Sequence, residues 1–100
     1  MPNPDITANI ILLATAKDGR SSEILGPSYG CPLGVDGAFF DIRFDLSEIG
    51  RIAPGESVKL RGQFLDREGA APHFAVGKQF TLWEGGTIGT GTVVEVHGDI

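Results

Sequence analysis

The sequence predicts an all-β fold of five to six short strands, arranged as a sandwich or a barrel. Three observations carry that expectation. The 15 Gly and 6 Pro fall between apolar runs instead of in one block, which marks many turns. Several runs alternate apolar and polar residues, the period of a half-buried strand. No segment of ten or more residues keeps a convincing helical period.

Each element follows from its own pattern. Ile6 to Thr15 reads as a first strand, with Ile6, Ala8, Ile10 and Leu12 on one face and Ile11 and Leu13 on the other. Apolar residues on both faces predict cover on both sides for part of its length. Lys17 to Arg20 reads as a turn, with Gly19 supplying a positive φ. Gly26 to Gly37, rich in Gly and Pro, reads as a long connection over one end of the fold. Such a connection either carries binding residues or merely crosses over.

Ala38 to Leu46 alternates cleanly: Phe40, Ile42, Phe44 and Leu46 face inward, and Phe39, Asp41, Arg43 and Asp45 face outward. Ser47 to Arg51 suits a single helical turn, and Pro54-Gly55 is a strong turn signal. Ser57 to Leu65 alternates again, with Val58, Leu60 and Phe64 inward. Asp66 to His73 reads as a polar loop. Val76 to Glu84 is expected as a strand with Phe80 and Leu82 inward, and Gly85-Gly86 as a tight reversal. Thr87 to Val96 returns, with Ile88, Thr90, Thr92, Val94 and Val96 on one face. Gly89 and Gly91 on the other face leave room for close approach.

One hundred residues make one domain, here residues 1–100 with a core over about 5–97. A net charge of -5 disfavours broad electrostatic binding to nucleic acid or to an anionic membrane. Cys31 is the only cysteine, which excludes an internal disulfide and fits a reducing compartment. The start lacks the basic region of a signal peptide, and the longest apolar stretch, Ile6 to Ala16, is too short to span a bilayer. A cytoplasmic protein is the expectation.

Candidate functional residues are few. Trp83 falls on the face opposite Phe80 and Leu82. It is either an exposed interface anchor or covered by a neighbouring loop such as Asp66 to His73. Cys31, His73 and His97 have no metal-ligand spacing and read as an inert thiol and two surface imidazoles. Asp41, Arg43 and Asp45 read as a solvated face in which Arg43 bridges two acids. Lys59 and Arg61, with Arg67 nearby, are candidate phosphate contacts set against a plain solubilising role. No Gly-x-x-x-x-Gly-Lys-Ser/Thr phosphate loop is present, so the chain is no GTPase. No catalytic residue, metal or cofactor is expected.

The segment Val76-Gly-Lys-Gln-Phe-Thr-Leu-Trp-Glu-Gly-Gly-Thr-Ile-Gly-Thr-Gly-Thr-Val-Val-Glu-Val96 resembles the last hairpin of the C-terminal domain of translation elongation factor Tu. Ile52-Ala-Pro-Gly-Glu-Ser-Val-Lys-Leu60 is similar to an earlier strand of that domain, and Ile6 to Leu13 followed by Gly19-Arg20 fits its first strand and turn. The resemblance implies a closed six-stranded antiparallel Greek-key barrel. It also implies that Glu84 and Gly85 stand where the family approaches the tRNA backbone. Two basic residues of the family pattern are missing beside them: Trp83 replaces one, and Thr87 follows Gly86 directly where the other would stand. Ser28-Tyr-Gly-Cys-Pro32 likewise lacks the arginine of its counterpart. The expected function is therefore a non-catalytic binding module that contacts another protein through Trp83 and Tyr29. RNA or tRNA binding is the alternative, and a small enzyme a more distant one.

Overall fold

The computed structural model describes residues 3–14 and 23–98, so the expected Lys17–Arg20 turn lies outside the described residues. The strands are β1 (Ile6–Leu12), β2 (Ile24–Leu25), β3 (Ser28–Val35), β4 (Ala38–Asp45), β5 (Arg51–Ile52), β6 (Ser57–Phe64), β7 (Gln79–Trp83) and β8 (Thr87–Val96). Six of them close on themselves in the order β1-β6-β4-β3-β7-β8, with every pairing antiparallel and β8 returning beside β1. The first barrel strand in the chain therefore lies beside the fourth and the sixth, a Greek-key connection. The fold class read from the sequence is the one observed.

Alternation sets the interior. Ile6, Ala8, Ile10 and Leu12 from β1, Leu33 and Val35 from β3, Ile42 and Phe44 from β4, and Phe80 and Leu82 from β7 are all buried. Closure buries mainly one face of each strand. β1 is covered on both faces only at its start, where Ile6, Thr7 and Ala8 are all buried; Ile11 points outward and is 48% exposed.

Both barrel ends are plugged. The link from β6 to β7 crosses one end as a helical turn, α1 (Arg67–Ala70), and a 3-10 turn at Ala71–His73. This corrects the polar-loop expectation for Asp66 to His73. Asp66 caps the turn by accepting a hydrogen bond from the Gly69 amide at 3.1 Å, a local signal that a loop reading overlooks. Phe74 follows, fully buried, with its ring against Phe40, Phe64 and Phe80. At the other end β2 and β5 pair, Ile24 opposite Ile52, and both are buried with Leu46. Between Leu46 and Gly50 the chain makes one hydrogen-bonded turn, as the sequence suggests, before Arg51 enters β5.

Three other readings are corrected. Residues 28–35 are not a loose connection but a full strand, paired with β4 from Ser28↔Asp45 to Val35↔Ala38. Asp36 and Gly37 have positive φ and reverse β3 into β4, a two-residue hairpin turn. Gly30, Pro32 and Gly34 all fall on the outward face, so they do not interrupt the buried row of Cys31, Leu33 and Val35. The β3–β7 ladder spans only Leu33↔Leu82 and Gly34↔Thr81 and ends next to Pro32, which has no N–H to donate.

In β8 a register shift between Leu82 and Trp83 and another between Thr7 and Ala8 displace the alternation. Gly89, Gly91 and Val93 face the core, while Thr90 is exposed. Ile88 is buried through the first bulge, so the five residues expected on one face do not share it. The strand into the last hairpin begins at Gln79 rather than Val76, which is 65% exposed.

Candidate functional site

The outer wall formed by β4, β3 and β7 carries the clearest surface feature. Phe39 on β4 and Trp83 on β7 are 58% and 39% exposed, and their rings touch with centroids 5.4 Å apart. They reach each other across β3 because Gly34 lies between their strands. A β-carbon at Gly34 would meet Thr81 Oγ1 at 2.6 Å and Phe39 Cε1 at 3.3 Å. Beside the pair lies a shallow depression of about 340 Å³, bounded by Thr81, Thr87 and the Asp36–Gly37 turn. Trp83 is thus an exposed aromatic, partly covered by Phe39. Other large exposed apolar residues, such as Leu25, Ile49 and Leu65, sit on separate elements.

Tyr29 lies at the start of β3, half-buried against the core, and its hydroxyl donates a hydrogen bond to the Glu84 carboxylate. This contact ties β3 to the β7–β8 turn beyond the point where the ladder ends. The turn itself is the expected reversal: Glu84 N–H donates to Gly86 O at 2.8 Å, Gly85 has φ +69°, and Trp83 pairs with Thr87. Cys31 is buried behind this seam. Burial, with the Glu84 charge next, pushes its thiol up to about 12, against hydrogen bonds from the Trp83 backbone and Tyr29. Such a thiol stays protonated at neutral pH and is a poor nucleophile. Neither histidine is recorded beside it: His73 contacts Asp36, and His97 contacts Thr7 and Glu95.

Among the described residues, Arg51, Arg61, Arg67 and Lys78 have carboxylate partners. Arg61 lies 3.6 Å from both Asp45 and Glu48, and Arg67 lies 3.2 Å from Asp5. Lys59 lines the same hollow as Arg61 and has no ion pair among the described residues. The expected Arg43 bridge between Asp41 and Asp45 is replaced by the Arg61 contact, because β6 lies beside β4 and brings Arg61 to Asp45. Hydrogen bonds from Ser47 hold the Asp45 carboxyl well below the usual range.

One cluster was missed by sequence reasoning. Asp36 takes a hydrogen bond from Lys78 Nζ at 2.7 Å and lies 2.9 Å from His73 Nδ1. The Lys78 contact first, and then His73, lower its carboxyl. The signal was the Asp-Gly pair at 36–37, a hairpin turn that would have brought this carboxylate to the barrel end. Among the described residues, no group of three or more His, Cys, Asp or Glu side chains could hold a metal ion. No described helix is long and apolar enough to cross a membrane.

No protein-family model matches the chain, and no curated protein matches it.

Proposed function

We propose that this barrel is a non-catalytic binding module, similar to the C-terminal domain of elongation factor Tu, that contacts another protein through the wall around Trp83. The observation that carries this reading is the exposed Phe39–Trp83 pair. Aromatic residues of this kind anchor protein interfaces, because they bury large area at low entropic cost.

Protein contact is favoured over RNA because most of the described cations already have carboxylate partners, Arg43 and Lys59 excepted. Arg61 and Arg67 already have carboxylate partners, and Glu84 engages Tyr29. A tRNA contact needs several free cations along one phosphate path.

Affinity capture from a cell extract with the wild type and Trp83→Ala tests the reading. The expected result is a defined partner lost with Trp83→Ala while the barrel stays folded. Identical captured sets would reject it. In parallel, gel shifts with bulk tRNA at low salt are expected to show no complex.

A further inference from the structure

We propose that the Phe39–Trp83 wall takes a protein segment that presents a lysine or arginine beside an apolar side chain; this rests on the protein-contact reading and names the partner's chemistry. The wall has the relief for it. Beside the rings the outward residues of β3 are Gly30, Pro32 and Gly34, so its surface there stays close to the backbone. Taller side chains flank it, Phe39 and Asp41 on β4 and Thr81 and Trp83 on β7, with Asp41 directly opposite Pro32. The hollow beside the two rings suits an apolar group.

Charge selects what sits next to that group. Asp36 lines the hollow but is already paired with Lys78 and His73, and Glu84 accepts from Tyr29; Asp41 stands two residues from Phe39 on the same outward face of β4. Arg43 stands one outward position further along β4, opposite Gly30. Asp41 is exposed and has no side-chain ion pair among the described residues. A cation on the Trp83 face would gain from the ring quadrupole and from the Asp41 carboxylate together. An acidic peptide, a nucleic acid or an anionic membrane would meet like charge on a chain of net charge -5.

Trp83 is the only tryptophan, so its fluorescence reports binding directly. The probes are acetylated, amidated Gly-Leu-Arg-Leu-Gly and two analogues with citrulline or glutamate in place of arginine. The arginine peptide is expected to change Trp83 emission saturably and to bind roughly fivefold tighter than the citrulline peptide. The glutamate peptide is expected not to saturate. Asp41→Asn, or 500 mM NaCl, should bring the arginine peptide down to the citrulline level with the urea midpoint of Asp41→Asn unchanged. Equal binding of the arginine and citrulline peptides overturns the cation requirement while leaving a protein contact at Trp83 in place. Binding of none of the three, or best binding of the glutamate peptide, overturns the proposal. The Trp83→Ala capture experiment then decides the protein-contact reading separately.

Discussion

Gly91 on β8 lies opposite Phe80 on β7, and the Phe80 ring fills the space that a β-carbon at position 91 would need. Ile10 Cδ1 from β1 would lie 2.9 Å from the same β-carbon. Small residues on β8 therefore admit a large ring where three strands meet. Gly91→Ala is expected to lose roughly 1–3 kcal/mol in urea unfolding, the usual cost of overpacking. Phe80→Leu made in that background should cost less than Phe80→Leu alone, because the two sites share one volume.

Phe74 is the plug of one barrel end, ringed by three other phenylalanines. Its truncation leaves a cavity that the rigid strand ends cannot collapse to fill. Phe74→Ala is expected to cost about 3–5 kcal/mol, read from chemical denaturation. Far-UV circular dichroism at low temperature should retain the strand signal if the fold survives.

Asp36 makes stability depend on acid. Its folded carboxyl is lowered from 3.8 by Lys78 and His73. The unfolded chain therefore binds the proton more readily, and the contribution is present above that value and lost as pH falls through the folded one. Asp36→Asn keeps a residue well suited to the turn while removing the charge. Thermal unfolding should show the wild type more stable than Asp36→Asn at pH 7. The gap should narrow below pH 4, and also in 1 M NaCl.

Cys31 acts in the opposite direction, at high pH. Burial raises its thiol from 9.0 to about 12, so the folded chain holds the proton where the unfolded chain releases it. Stability is lost as pH rises above about 9, and Cys31→Ala should be less sensitive over that window. Ellman's reagent at pH 8 is expected to label native protein slowly and urea-unfolded protein quickly. Fast labelling of the native state would show the thiol to be accessible.

What the sequence allowed one to read follows from how each element carries its signal. Phe40, Ile42 and Phe44 alternate without interruption, so β4 was legible to within one residue. β3 was not, because Gly30, Pro32 and Gly34 look like punctuation until their shared outward parity is noticed. In β8 the bulges shift the inside–outside pattern mid-strand, which a fixed period of two cannot anticipate. For the site, Trp83 was readable as an outward aromatic from its parity against Leu82. Phe39 was placed on the outward face, but its contact with Trp83 depends on β3 running between them, a relation that only the strand order supplies.

The seam between β1 and β8 has a consequence for biosynthesis. Ile6 pairs with Val96, so the cylinder cannot be sealed until nearly all of this sequence has left the ribosome. While translation is under way, β1 has β6 on one flank and nothing to pair with on the other. A stalled nascent chain would present that raw flank, together with its aliphatic row, to chaperones and to neighbouring polypeptides.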